Sequence, residues 1–448
     1  MTALPKEFLE RMSRQLGEEL PDFLLAMAKE PVRGIRMNPM KPFAGMEDYM
    51  SGERIPWAEG GYLLPAENTA GATVFHEAGA FYLQEPAAML PAEVLDPRPG
   101  ERILDLCAAP GGKSTQIGLK LKGKGLLICN EPVPKRARIL SRNLERMGIP
   151  NSVVTSMYPA EIPVSWNEVF DGVLADAPCS GEGMFRRDPQ TRTEWSPEMA
   201  AGCAKRQGEI LEEAARFVRP GGRLVYSTCT YNTEENEETV FRFLNKHPEF
   251  ETEAFHLSGA AGKNGMLLCL PHRMTGEGQF TAMMRKKGQV SVQMLSIPFS
   301  VPKEKEARLL QEMIPGIPAP NACWRDTLIR IPECPPMQGI RVVRAGLHLA
   351  GIQGKNPVPD HAAALGFPLN TQIQTQILNA ETTARYIAGE EIHGTVKGWT
   401  LLTYRGLVLG WGKGSNGVIK NHYPKGLRRE RILTETETGF NVSRQRPE

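Results

Sequence analysis

The sequence predicts an α/β protein built on a Rossmann-like, doubly wound parallel sheet. Three observations carry that prediction. The apolar run Ile103–Leu106 enters a Gly-rich turn, Cys107-Ala-Ala-Pro-Gly-Gly-Lys113, and a helix is expected from Ser114 to Lys120. Further apolar runs at Leu126–Cys129, Val153–Val154, Phe170–Asp176 and Arg223–Ser227 are separated by helical patterns. Two of these runs end on polar segments, Asp176-Ala-Pro-Cys179-Ser-Gly181 and Ser227-Thr-Cys229-Thr230. Open α/β sheets bind ligands beyond the carboxyl ends of their strands, where these segments fall.

The first turn excludes two common nucleotide sites. A phosphate loop needs a Gly six residues before its Lys, but Cys107 holds that place before Lys113, and Pro110 lacks an amide donor. A dinucleotide fingerprint needs spaced glycines, whereas Gly111 and Gly112 are adjacent.

Composition bounds the remaining classes. At 448 residues the chain is expected to form roughly two or three domains. A formal net charge of +2 gives no global basic signal, so any nucleic-acid surface must be a local patch. Eight cysteines show no metal-ligand spacing, which argues against zinc. Cys179 and Cys229 read as working thiols, which implies a reducing cytoplasm. The start of the chain does not read as a signal peptide, and no apolar run reaches membrane-spanning length.

Taken in order, residues 4–29 read as two helices and Pro31–Asn38 as an extended segment. Arg33 and Arg36 in that segment are candidate phosphate contacts. His76–Pro86 reads as a short strand leading to an apolar helix that begins near Pro86 and packs against the main sheet, a reading that holds even where Gln84 and Glu85 also approach the ligand. Glu131, just past the second sheet strand, stands where a carboxylate grips a nucleoside ribose. The helix Pro134–Met147 follows, with Ala137, Leu140, Leu144 and Met147 inward. Residues 182–200 read as a long polar and aromatic loop of the lid or binding kind.

Arg206–Val218 is expected to be helical, as is Glu234–Asn245 with Val240, Phe241 and Leu244 inward. Met266–Leu270 and Phe280–Met284 read as a closing pair of strands. Beyond Gln289 the pattern changes to Gly- and Pro-rich sequence with short strands at Ile340–Arg344, Leu347–Ala350, Val396–Tyr404 and Leu407–Trp411. Asn421–Arg428 joins basic and aromatic groups, a mixture suited to RNA: Lys425, Arg428 and Arg429 for phosphates, flat rings for unstacked bases.

Two thiols at one sheet rim suggest a chemistry. In adenine aminomethyltransferases an aromatic residue after the fourth strand stacks on the base; here Cys179 replaces it. A pyrimidine C5 is a poor nucleophile until a thiolate adds to C6, after which it accepts a methyl group from a sulfonium donor and loses its proton. Asp176 is placed to hydrogen-bond the cytosine amino group or protonated N3 and to offset charge entering the ring.

Three motifs now carry a resemblance. Leu106-Cys-Ala-Ala-Pro-Gly-Gly-Lys113, Asp176-Ala-Pro-Cys-Ser-Gly-Glu-Gly183 and Tyr226-Ser-Thr-Cys-Thr230 resemble the donor-binding, base-side and nucleophile motifs of the NOL1/NOP2/Sun family of RNA 5-methylcytosine methyltransferases. The chain is most similar to the bacterial branch that modifies small-subunit ribosomal RNA. The resemblance implies a class I methyltransferase sheet with S-adenosylmethionine as cofactor, a small N-terminal domain, and a C-terminal α+β to β-rich RNA-binding region with a PUA-like module. It implies that Cys229 attacks C6, that Cys179 assists release, and that Lys113 lies near the base. It implies donor contacts from Cys107, Ala108, Ala109, Pro110, Gly111, Gly112, Lys113, Glu131, Arg136 and Asp176. The expected divisions are 1–90, 91–287 (catalytic), a linker 288–305, a subdomain 306–389 and the PUA-like module 390–448. Ribosomal RNA, in the small subunit or an assembly intermediate, is the expected partner of a monomer. Three alternatives stay open: a transfer RNA methyltransferase, an adenine or small-molecule methyltransferase, and a non-catalytic RNA-binding assembly factor. Tyr158 stands where many relatives carry Asp near the adenine, and Glu85 also replaces Asp.

Overall fold

A computed structural model describes residues 3–65, 67–289, 293–354, 356–366 and 372–434. Residues 435–448 of the expected terminal module lie outside the described residues.

The central sheet is formed by β1 (Arg102–Asp105), β2 (Leu126–Asn130), β3 (Ser152–Thr155), β4 (Phe170–Asp176), β5 (Val218–Thr228), β6 (Met266–Cys269), β7 (Gln279–Lys286) and β8 (Val342–Ala345). Their order is β6-β7-β5-β4-β1-β2-β3-β8. Strands β1 to β5 run parallel, and β6, β7 and β8 each pair antiparallel with their neighbours. A short ninth strand, Phe250–Thr252, pairs with β7.

Consecutive apolar residues feed opposite faces, which explains the unbroken apolar runs. Leu104, Ile128, Val153, Val173 and Leu224 belong to one buried layer. Their neighbours Ile103, Leu127, Val154, Leu174 and Val225 belong to the other. Chain order reverses at β1, where successive units leave to opposite sides. The crevice beyond the strand ends opens at that switch point.

Helices that cover the sheet include Leu90–Leu95, α1 (Gly112–Leu121), α2 (Pro134–Met147), α3 (Pro197–Phe217) and α4 (Glu237–Lys246). Helix α2 has the expected bounds, with Pro134 in its first turn and Gly148 closing it at φ 73°.

Several elements differ from the sequence expectation. Residues 182–200 are not an open loop. They hold a 3-10 turn (Glu182–Met184), a helix (Pro189–Glu194) and the start of α3. Phe185 and Trp195 pack with Phe8, Phe23 and Tyr231, so the aromatics anchor the N-terminal helices Lys6–Leu16 and Leu20–Met27. Phe241 points outward at 52% exposure, and Phe243 takes the inward place beside Val240. His76 and Glu77 lie on a helical turn, Val74–Glu77, before the strand Phe81–Leu83.

The N-terminal strand Arg33–Met37 pairs with Gly61–Leu64 and Phe81–Leu83. Beyond the central sheet a four-stranded sheet (Ala322–Trp324, Thr327–Arg330, Leu347–Gln353, Asn356–Pro359) precedes a five-stranded one. The latter contains Gly398–Tyr404 and Leu407–Ser415, and its Tyr404 and Leu407 share a core with Ile35, Phe75 and Phe81. N-terminal and C-terminal parts are thus joined by one apolar cluster. No helix among the described residues is long and apolar enough to cross a membrane.

Candidate active site

Each strand that ends at the switch point delivers one polar group. Asp105 ends β1, Glu131 follows β2, Asp176 ends β4 and Cys229 follows β5. The turn Cys107–Gly111 leads from β1 into α1, and Gly111 sits at φ 113°, a left-handed conformation suited to glycine.

Lys113, on the first turn of α1, donates to Asp176 Oδ2 at 2.9 Å. Ser227 Oγ donates to the other oxygen at 2.6 Å, with Gln279 at 3.4 Å. Burial disfavours the Lys113 charge, but the Asp176 carboxylate outweighs it and the lysine pKa is raised. Asp105 is buried beneath, and Ser114 Oγ donates to its Oδ2 at 2.6 Å. Burial pushes its pKa up to about 7, and its Oδ1 has no hydrogen-bond partner.

The sulfurs of Cys179 and Cys229 lie 3.0 Å apart. The Cys229 amide donates to Cys179 Sγ at 3.2 Å. The contact with Cys229, followed by burial, holds the Cys179 thiol well above its ordinary pKa, so it rests protonated. Both cysteines are partly accessible, unlike Cys129, Cys203, Cys269 and Cys334.

Two cavities meet at these groups. One, of about 500 Å³, is lined by Glu131, Val133, Arg136, Tyr158, Pro159 and Ile210 among others. The second, of about 310 Å³, is lined by Tyr82, Gln84, Glu85, Lys113, Met184, Arg187 and Gln279 among others. Cys107, Ala109, Asp176, Ala177 and Cys229 line both.

The larger cavity fits S-adenosylmethionine. Glu131 is 2% exposed and accepts the Val133 amide at 3.0 Å, with Arg136 at 3.3 Å. That leaves a carboxylate for ribose hydroxyls, between apolar walls for an adenine. Arg136 also donates to the Ala109 carbonyl at 3.0 Å and so ties the turn to α2. Of the residues expected near the donor, Cys107, Ala109, Glu131, Arg136 and Asp176 line this cavity. Ala108, Pro110, Gly112 and Lys113 line its neighbour. Gly111 packs against α2 at Leu140 and Asn143. Tyr158 is 60% exposed at the rim.

The expected RNA contacts divide. Arg36 is a correction: it is 2% exposed and donates to Gln84 Oε1 at 3.2 Å, the Gly112 carbonyl at 3.1 Å and Thr115 Oγ1 at 2.7 Å. Its strand position faces inward, so it braces the first turn of α1 rather than meeting phosphate. Arg33, Lys425, Arg428 and Arg429 are at least partly exposed, and Arg429 pairs with Glu77 at 2.6 Å. Tyr423 is 3% exposed and packs on Tyr386 and His361, so it is not a free stacking partner.

Several site-building residues escape the sequence reading. Glu182, fully buried, accepts from Arg11 at 2.5 Å, Trp195 at 3.1 Å and the Tyr231 amide at 3.1 Å. Glu277 accepts from Arg186 at 2.6 Å and the Val32 amide at 2.8 Å. Glu235 and Asn236 are buried beside the thiols. The run of acidic and amide residues just after the second cysteine, Asn232–Asn236, is the signal that marks them in the sequence.

Fold and site together define a class I S-adenosylmethionine-dependent methyltransferase. The model of the 16S rRNA methyltransferase RsmB/F family matches residues 92–285. Models of the N-terminal domain of 16S rRNA methyltransferase RsmF and of the methyltransferase RsmF PUA domain match residues 4–86 and 377–429. The ribosomal RNA small subunit methyltransferase F of Aliivibrio fischeri is 32% identical over 464 residues, covering 95% of this chain and 98% of the relative. Its Escherichia coli counterpart is 30% identical over 470 residues, covering 95% and 97%. A crystal structure of a methyltransferase homologue from Pyrococcus horikoshii is 28% identical with a TM-score of 0.55, covering 63% of this chain and 95% of that one. The chain belongs to the RsmB/F family.

Proposed function

We infer that this protein methylates C5 of cytosine in 16S ribosomal RNA, with S-adenosylmethionine as donor. The observation that carries the chemistry is the pair of thiols 3.0 Å apart, of which Cys229 lines both cavities and Cys179 the larger one. Adjacent ring carbons C5 and C6 need two different groups within a few ångströms of each other, and this pair supplies them. The ribosomal target is supported by relatives named ribosomal RNA small subunit methyltransferase F, which match almost the whole chain, and by the 16S rRNA methyltransferase model that matches residues 92–285.

In this reading the Cys229 sulfur, as thiolate, adds to C6 and makes C5 nucleophilic. Asp176, held in place by Lys113 and Ser227, accepts from the amino group and from protonated N3, and the N3 proton it holds neutralises the negative charge that enters the ring. S-adenosylmethionine supplies a methyl group on a positively charged sulfur. Glu131, Arg136, Cys107 and Ala109, which line the larger cavity, would hold it. Cys179, after losing its own proton to solvent, takes the C5 proton as thiolate, the electron pair of the C5–H bond forms the C5–C6 double bond, the C6–S bond breaks, and Cys229 is freed as thiolate. Both cavities form within one chain, which suits a monomer. Working thiols suit the reducing cytoplasm.

Mass analysis of small-subunit RNA after incubation with enzyme and isotope-labelled donor tests the reading. Label on cytosine C5 is expected. No label, or label on adenine, sinks it.

A further inference from the structure

Two consecutive residues just before α4, Glu235 and Asn236, are both fully buried and hold the two thiol loops separately. The Glu235 carboxylate accepts the Ser180 amide at 2.9 Å, the Ser180 hydroxyl, and Gln207 Nε2 at 2.9 Å. The same Gln207 nitrogen donates to the Pro178 carbonyl at 3.0 Å. Glu235 therefore grips the chain on both sides of Cys179, once directly and once through Gln207. Asn236 does the same for Cys229. Its Oδ1 accepts the Thr228 hydroxyl at 2.6 Å, and its Nδ2 donates to the Thr230 carbonyl at 3.0 Å. Ser180 and Thr230 hydroxyls meet at 3.0 Å and link the two grips. Tyr226, from β5, donates to the Glu235 carbonyl at 2.6 Å and fixes the dipeptide to the sheet.

We propose that Glu235 and Asn236 are the positioning residues that set where each thiol stands, Glu235 for Cys179 and Asn236 for Cys229. A buried carboxylate carries a large desolvation cost, and here three donors around the Cys179 loop offset it. The arrangement has a chemical use. Cys229 must reach C6 while Cys179 reaches the hydrogen on C5, so the sulfurs must hold a fixed offset through addition and elimination. The residues on both sides of each cysteine are held from one rigid point, through backbone at Pro178, Ser180 and Thr230 and through the side-chain hydroxyl at Thr228, as preorganisation of such a site requires. Displacement of about 1 Å at a reacting group costs on the order of a hundredfold in rate.

The proposal rests on the thiol roles given above, and its test separates the two. Four variants are compared with the parent on small-subunit RNA: Glu235→Gln, Asn236→Asp, Ser180→Ala and, as reference, Cys179→Ala. Covalent protein–RNA complex, methyl transfer and donor affinity are measured in each. Glu235→Gln keeps volume but loses an acceptor, and it is expected to act like the reference. Its complex should accumulate and turnover should fall by about a hundredfold. Ser180→Ala should show a milder form of the same effect, which guards against misfolding of the first variant. Asn236→Asp keeps the acceptor for Thr228, loses the donor to Thr230 and adds a buried carboxyl beside Glu235, and it should form little complex and lose methylation early. Donor affinity should stay within about twofold in the Glu235, Asn236 and Ser180 variants, since none of these groups lines the donor cavity. Equal loss of both steps in Glu235→Gln and Asn236→Asp overturns the division of roles and leaves only a structural brace. Normal turnover in both Glu235→Gln and Ser180→Ala overturns it equally. A reference variant that forms no complex overturns the thiol reading itself.

Discussion

Arg36 Nη2 donates to Thr115 Oγ1 at 2.7 Å and joins the N-terminal sheet to the helix that follows the donor turn. The same nitrogen donates to the Gly112 carbonyl at 3.1 Å. Burial lowers the arginine pKa to about 10, which leaves it charged at neutral pH. Arg36→Ala should therefore lower stability by about 2–4 kcal/mol, by stranding buried acceptors. Chemical denaturation measures that loss. The slope of RNA affinity against salt should not change, and a slope smaller by one phosphate contact returns Arg36 to the RNA surface.

Glu131 is the test of the donor cavity. A charge-assisted hydrogen bond contributes about 1.5–3 kcal/mol, so Glu131→Ala should weaken S-adenosylmethionine binding by roughly 10- to 100-fold. RNA affinity should be unaffected. Calorimetry without RNA measures the first quantity, and unchanged donor affinity removes the ribose role.

Asp105 makes stability depend on pH. Its carboxyl ionises near 3.8 in the unfolded chain and at about 7 in the fold, because burial disfavours its charge. Between those values the folded protein binds the extra proton. This contribution is complete below the unfolded value and is lost as pH rises through about 7. Asp105→Asn should be more stable than the parent at pH 8, by up to about 4 kcal/mol, with the difference gone at pH 4. Denaturation midpoints across that range measure it. A difference independent of pH means that Asp105 is ionised in the fold.

Much of this is legible in the chain itself, for physical reasons. Strands buried on both faces leave unbroken apolar runs, and the bounds of Phe170–Asp176 and Pro134–Met147 follow from the sequence to the residue. The polar ends of β4 and β5 stand out because nothing apolar explains Asp176, Cys179 or Cys229. What stays hidden depends on tertiary direction. Arg36 reads like any strand arginine until the strand is known to face α1. Trp195 and Tyr423 read as exposed aromatics until other segments cover them. Ile340–Arg344 reads as a strand, and the observed strand is Val342–Ala345. Its pairing with β3 of the central sheet is a long-range event that local sequence does not encode.

The C-terminal cations should contribute RNA affinity without touching the donor. Neutralising Arg428 and Lys425 should weaken RNA binding and reduce its salt slope by about one unit per lost phosphate contact. Arg429 is expected to contribute less, because Glu77 already faces it at 2.6 Å. Filter binding across a salt series separates them. Unchanged affinity in the Arg428 and Lys425 double variant makes the patch ordinary solvated surface.

The two cysteines should fail differently. Cys229→Ser lacks the sulfur assigned to C6, so C5 is never activated. This variant should be inactive by at least about three orders of magnitude and should form no bond to RNA. Cys179→Ala keeps the attacking sulfur and the Asp176–Lys113 pair, so addition and methyl transfer remain open to it. It lacks the group assigned to take the C5 proton, and elimination should stall. A protein–RNA complex that survives denaturing electrophoresis should accumulate, with the methyl group already on the trapped base. The resting thiol of Cys179, held protonated beside Cys229, adds a condition on this order. Cys179 must give up its proton to solvent before it can act as a base, which it can do once Cys229 is bonded to carbon and no longer crowds it at 3.0 Å. Complex formed by Cys229→Ser but absent from Cys179→Ala reverses the assignment. Methylation retained in both variants removes cysteine catalysis altogether.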